Sequence, residues 1–257
     1  MSRGRLIALV LLGLLVAASV SYTGSYTLEI VDKDGRPQTA YALYNHQGYW
    51  LNPVHPVSYN ATQTAVIRGD ADGRLTIPAA LHVHLPFPIQ THPSLSIEMV
   101  YVPQLHNAGG RIRESYAASA AGAWEMDATR HRAVVFDVSD SPERWRGTLS
   151  NLSFFLGPIL LGQPRDFDAS TAATLVELVE HFRDEYDGFL ARFGDTPRPW
   201  PLKPANFFNA DDERRWIEMV ETDLGQRPTW GMEIQRLHET ELSVLTEVEA
   251  RLKSRSR

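Results

Sequence analysis

Polar and apolar positions between residues 22 and 107 follow a period of two. In "SYTLEIVDKDGRP", Tyr26, Leu28 and Ile30 alternate with polar neighbours until Asp34-Gly35 and Pro37 stop the run. Such alternation predicts a strand buried on one face, with the Asp-Gly pair turning the chain. "TAYALYNHQGYW" resumes the alternation, and "TQTAVIRGDADGRLTIPA" repeats the device, with Asp72-Gly73 ahead of Leu75 and Ile77. Asp-Gly between alternating runs signals a hairpin, because glycine takes positive φ without a Cβ clash. "SLSIEMVYVP" at 94–103 adds another strand. Short strands punctuated by Pro and Gly predict an antiparallel β-sandwich.

The pattern changes after residue 107. "AGGRIRESYAASAAGAWEMDATR" has no clear period and reads as a loop or linker, "HRAVVFDVSD" as a last strand, and "SPERWRGTLSNLSFFLGPIL" as a helix. Ser141 caps that helix, with Pro142 and Glu143 in its first turn. Beyond Pro164 the spacing is helical. Leu175, Leu178, Val179, Phe182, Tyr186, Phe189, Leu190 and Phe193 form one stripe, with Ser170 as expected cap and Gly194 as stop. A helix is predicted from Asn209 to Gly225, and a last one carries Ile234, Leu237, Val244 or Leu245, Val248 and Leu252 on one side. The Pro-rich "TPRPWPLKPANFF" reads as an extended connector. The expected class is α+β: an N-terminal antiparallel β-sandwich at 22–107, a loop, last strand and helix at 108–165, and a C-terminal helical subdomain at 166–257.

Composition adds a compartment. "MSRGR" is followed by 15 apolar or small residues at 6–20, and small residues surround Ala18 and Ser21. This is the pattern of a secretory signal peptide at 1–21, cleaved after Ala18 or Ser21. As a helix the run spans only about 22 Å, short of a hydrocarbon core about 30 Å thick. The expected location is a bacterial periplasm or the exterior, with membrane contact only through this segment if it is retained. The chain has no cysteine, so the exported fold holds without disulfides. A formal net charge of -6 speaks against a nucleic-acid binder.

"LEIVDKDGRPQTAYALY" and "AVIRGDADGRLTIPA" resemble the carboxypeptidase regulatory-like, or transthyretin-like, β-sandwich family. The carrying residues are Asp32, Asp34, Gly35, Pro37 and Ala40, then Asp70, Asp72, Gly73, Arg74, Ile77 and Pro78. The resemblance covers residues 25–105 and implies a sandwich and an accessory role. Two enzyme types occur on related sandwiches. The Tyr-Arg-Gly-Ser tetrapeptide of the transthyretin-like hydroxyisourate hydrolases is absent. "DADGRLTIPAALHVHLP" is similar to the His-x-His strand of intradiol dioxygenases, but Ala79 and Ala80 stand where that family has a tyrosine ligand.

Candidate chemistry concentrates in the β region. His82 and His84 are two apart, so a strand projects both on one face. With His106 or His55 they make a candidate site for zinc, copper or iron, and Tyr59 or Tyr101 is a candidate phenolate ligand. Surface histidines in a Pro-rich loop are the plainer reading. Tyr, Trp and His crowd "YALYNHQGYWLNPVHPVSY", which makes Tyr44, Tyr49, Trp50 and Tyr59 a candidate ligand face. Glu177, His181, Asp184 and Glu185 read as a solvated helix face. No phosphate loop, Rossmann fingerprint or nucleophile elbow occurs. The expectation is an exported envelope accessory or binding protein, more a binder than an enzyme, whose partner is a protein or small ligand of the envelope. The alternative is a metal-dependent periplasmic oxygenase or hydrolase using the His-x-His strand.

Overall fold

The computed structural model describes residues 7, 20–50, 58–83, 94–109, 112–113, 116–117, 124–127, 131–161, 167–198, 214–215, 218, 222 and 229–256. The strands are β1 (Val20–Thr23), β2 (Tyr26–Asp32), β3 (Tyr41–Trp50), β4 (Ser58–Arg68), β5 (Arg74–Ile77), β6 (Ala80–Val83), β7 (Ser94–Val102), β8 (Asn107–Gly109), β9 (Ile112–Arg113), β10 (Tyr116–Ala117), β11 (Trp124–Asp127) and β12 (Arg132–Val135). A 3-10 turn, Pro103–Leu105, follows β7. The helices are α1 (Pro142–Leu160), α2 (Ala169–Phe193) and α3 (Trp230–Arg255). The class is α+β.

Four strands form one sheet in the order β11-β12-β2-β5, and six form another in the order β10-β9-β7-β3-β4, with β8 also on β7; β1 and β6 pair separately. Three features depart from the sequence expectation. Short strands β8 to β11 occupy parts of 108–130, where an aperiodic sequence reads as a loop, because two- to four-residue strands are too short to show a period. β12 pairs parallel to β2, so the four-stranded sheet is not wholly antiparallel. The two Asp-Gly turns are corners and not hairpins, since each carries the chain from one sheet to the other, β2 to β3 and β4 to β5.

Those corners share one construction. Asp32 Oδ1 accepts from the backbone of Asp34 and Arg36, each at 2.9 Å, and Asp70 Oδ1 accepts from Asp72 at 3.0 Å and Arg74 at 2.8 Å. Gly35 and Gly73 then take φ of 78° and 72°. The Asp side chain bonds its own turn and the glycine supplies the left-handed residue.

The large sheet is apolar on both faces. Ala40, Ala42, Tyr44, Ala65, Ile97, Val100 and Val102 share a core with Leu28, Ile30, Leu75, Ile77, Ala133 and Val135 of the small sheet. Tyr41, Val66, Met99 and Tyr101 face the helices. On β7, Ile97 and Met99 should share a face, yet they point to opposite cores. The register explains this: Tyr44 pairs Ile97 while Leu43 pairs Met99, which leaves Glu98 as an extra residue in a bulge. The strand therefore serves two cores in succession.

α1 and α3 run parallel, tied at Arg146–Glu233 (2.8 Å), Ser153–Glu241 (2.8 Å) and Arg251 to the Ile159 carbonyl (2.8 Å). α2 runs against both, with Phe189 on Trp230 and Phe182 on His238. Ser141 caps α1 as its position predicts, and Thr229 caps α3. α2 is capped by Asp168 and not Ser170: its carboxylate accepts from Thr171 at 2.7 Å, which puts Ser170 inside the first turn. Of the helix expected at 209–225, Arg214, Arg215, Glu218 and Thr222 are helical, and the other residues lie outside those described.

The corner glycines differ in their surroundings. A Cβ on Gly73 would sit 2.5 Å from the Ile30 carbonyl, whereas at Gly35 the nearest atom is the flexible end of Arg132 at 3.6 Å. Gly35→Ala should cost about 1–2 kcal/mol from backbone conformation alone. Gly73→Ala should cost about twice as much, because main chain must also move. Urea unfolding midpoints check the order, and equal losses would contradict it.

Candidate functional site

Between the large sheet and α2 lies a row of polar side chains centred on Glu185. The carboxylate is 3% exposed. Its Oε1 accepts from the Tyr101 hydroxyl at 2.7 Å, and its Oε2 accepts from His106 Nδ1 at 3.0 Å and from the Trp145 indole N–H. The donors come from β7, from the residue after the 3-10 turn, and from α1. A buried carboxylate needs such donors to offset its lost hydration.

His106 reaches this position through an uncommon backbone. It closes the 3-10 turn in the left-handed region, with φ 48° and ψ 36°. Its carbonyl accepts from Thr148 of α1 at 2.8 Å, and the same hydroxyl accepts from the Ala108 N–H at 3.2 Å. Asn151, one turn on, donates to the Ala108 carbonyl at 2.7 Å. α1 is thus stitched to β8 beside the clasp. The His106 side chain is 36% exposed, with its Nδ1 turned to Glu185.

Two turns earlier on α2, Glu177 accepts from the Tyr41 hydroxyl at 2.6 Å and from Arg68 at 3.2 Å. His181 Nε2 lies 3.2 Å from the Tyr41 oxygen. Since that hydroxyl gives its proton to Glu177, Nε2–H is the donor in the second bond. The His181 ring meets Tyr41 and Tyr101 edge-on, at 5.2 and 5.7 Å. Glu177, His181 and Glu185 fall four apart, on one side of the helix.

The environment fixes protonation. Burial, reinforced by Glu177 and Glu185, pushes the phenols of Tyr41 and Tyr101 well above their usual range, so both stay protonated donors. The hydrogen bond to Glu185 raises the His106 pKa against the opposing pull of burial. His238 is the converse: 3% exposed, with neither ring nitrogen hydrogen-bonded, it has its pKa lowered by burial. A second polar group gathers at the start of α3, where Arg146 and Arg198 each lie 2.8 Å from Glu233.

The sequence candidates fare differently. His106 joins the Glu185 clasp. His82 lies on β6, its Cα paired with that of Ser21, while His84 and His55 lie outside the described residues. Among the described residues no group of three or more His, Asp or Glu is placed to hold a metal ion. Tyr44 does not belong to a ligand face. It is 4% exposed in the core between the sheets, because it shares the inward side of β3 with Ala42. Tyr49 and Tyr59 are Cα partners across β3 and β4, with Trp50 opposite Ser58. Glu185 is not on a solvated face. The signal was present, since Phe182, Glu185 and Phe189 continue the apolar spacing and an acid inside such a stripe marks a buried carboxylate.

Searches against protein-family models, curated proteins and solved structures give no match.

Glu185→Gln should cost about 3 kcal/mol or more, because the amide turns an N–H toward donors that need an acceptor. Equilibrium unfolding measures this, and a change within about 0.5 kcal/mol would remove the clasp from any structural role. The pH dependence has a definite sign. Folding raises the His106 pKa, so its stabilisation is fully present below the unfolded value of about 6.5 and is lost as pH rises through the folded value. His106→Asn, which tolerates the left-handed backbone, should therefore cost more at about pH 5.5 than at about pH 8.5. The opposite order would refute the assignment.

Proposed function

We propose that the protein is an exported cell-envelope accessory module that works by binding rather than by catalysis. The observation behind this reading is the Glu185 clasp. The titratable side chains between the large sheet and α2 are hydrogen-bonded to one another, with the phenols held protonated and both carboxylates taken by protein donors. Such an arrangement fixes one element on another. It leaves no activated nucleophile at its centre.

The two sheets and their shared core are read as a transthyretin-like β-sandwich, on the strength of the paired Asp-x-Asp-Gly corners and of strands that change sheet. Fold likeness of this kind carries architecture and not activity. The ligand is a protein or small molecule of the envelope, and the β3–β4 end bearing Tyr49, Trp50 and Tyr59 is the candidate edge for it. Export follows from the charged start and apolar run at 1–20. Cleavage after Ala18 would leave β1 (Val20–Thr23) whole, whereas cleavage after Ser21 would cut it. No helix among the described residues is long and apolar enough to cross a membrane.

The test is the mass and metal content of the chain recovered from the periplasm of a bacterial host without an affinity tag. The expected product begins at Ser19 and carries substoichiometric metal. A full-length chain retained in the cytoplasm would overturn export. Near-stoichiometric zinc, copper or iron that vanishes in a His82→Ala/His84→Ala variant would overturn the binding-only reading in favour of a metal-dependent enzyme.

A further inference from the structure

α1 has two unlike faces. Its inner side, Trp145, Leu149, Leu152, Leu156, Ile159 and Leu160, is buried in the helical core. Its outer side follows a second heptad-like spacing, Gly147, Ser150, Phe154, Gly157 and Leu161, with steps of three and four. Phe154 is 76% exposed and Leu161 55% exposed. From Gly147 to Leu161 no residue is charged, in a chain that is 22% charged. An ordinary exposed helix face carries Lys, Glu or Arg at these positions, and large exposed side chains on a neutral face mark a contact surface.

We propose that this face pairs with the same face of a second copy of the chain, the two α1 helices crossing antiparallel with Phe154 on the two-fold axis. The order of side-chain sizes supports self-pairing. Reversed about Phe154, the stripe sets Leu161 of one copy over Gly147 of the other, and Gly157 over Ser150 and Asn151. Nothing lies within 4 Å of where a Cβ would stand on Gly147 or Gly157, so each offers a notch open to solvent. A large residue thus meets a notch at both ends of the contact, and small residues let helices approach closely. Neutrality points to the same occupant. About a two-fold axis at Phe154 each position from 147 to 161 meets another position of the same uncharged stretch, so no pairing across the contact is repulsive. An anionic lipid surface would call for a basic rim. The nearest charges of the helix, Glu143 and Arg144, lie at its N-terminal end, and Arg146 is held by Glu233.

Because the chain has no cysteine, single replacements report the contact directly. In the full-length chain expressed in cells, mild oxidation of Phe154→Cys should give a disulfide dimer of twice the chain mass. Gly147→Cys and Leu161→Cys should each stay uncross-linked alone and should cross-link to one another when co-expressed. Asp184→Cys, on the exposed side of α2, should stay monomeric, and adding Gly147→Leu to Phe154→Cys should abolish its dimer by filling the notch. The proposal fails if Phe154→Cys remains monomeric or couples to a protein of another mass. It also fails if Gly147→Cys cross-links to itself, as parallel pairing requires, or if Asp184→Cys dimerises equally. Unchanged thermal unfolding of Gly147→Leu keeps loss of the dimer distinct from loss of the fold.

Discussion

A carboxylate with almost no exposure is stable only where protein donors replace its water, and the placement of the helices on the sheet depends on how Glu185 meets that requirement. Tyr101 brings a donor from the sheet, His106 from the turn that leaves it, and Trp145 from the first helix. Each must arrive at one point on α2. Apolar packing alone tolerates sliding by a turn or a change of crossing angle, whereas three convergent hydrogen bonds to one acceptor do not. The clasp sets register more than it adds net stability, since desolvation offsets much of the attraction in any buried charged group.

The sheet prepares for this. Tyr41 and Tyr101 point at α2 because β3 and β7 present those positions to the helices, and on β7 this holds only because the Glu98 bulge shifts the alternation between Ile97 and Met99. Without the extra residue, Tyr101 would turn into the core between the sheets and its hydroxyl would lose Glu185. The Asp32 and Asp70 corners belong to the same plan. They return the chain from one sheet to the other, so that Tyr41 to Tyr44 of β3 and Ala65 and Val66 of β4 lie between the second sheet and the helices.

Local rules made much of this legible in the sequence. The alternation at Leu28, Ile30, Leu75 and Ile77 and the helical stripe from Leu175 to Phe193 mark buried faces without reference to anything distant, and the helix start at Ser141 follows capping chemistry. What stayed hidden depends on partners far along the chain. A strand of two residues such as Ile112–Arg113 exists because β7 and β10 lie beside it. The choice between hairpin and corner at Asp72-Gly73 is made by which sheet receives β5. Tyr44 looked like a recognition residue because tyrosine suits both a wet face and a core, and only the second sheet decides between them. Glu185 and His106 are 79 positions apart in sequence, and neither signals the other.

The absence of cysteine gives the clasp added weight. A chain without cysteine has no disulfide to constrain its layers. Packing supplies most of the stability, and a chain of this length buries enough apolar surface for that. Uniqueness is the harder problem, because Leu, Val and Phe on α1 and α2 fit several neighbouring arrangements nearly equally well. Polar groups that are satisfied in one arrangement and stranded in every other discriminate more sharply than methyl groups do. Glu185 with its three donors and Glu177 with Tyr41 and Arg68 lie two turns apart on a single helix, so they fix both the position of α2 along the sheet and its rotation about its own axis.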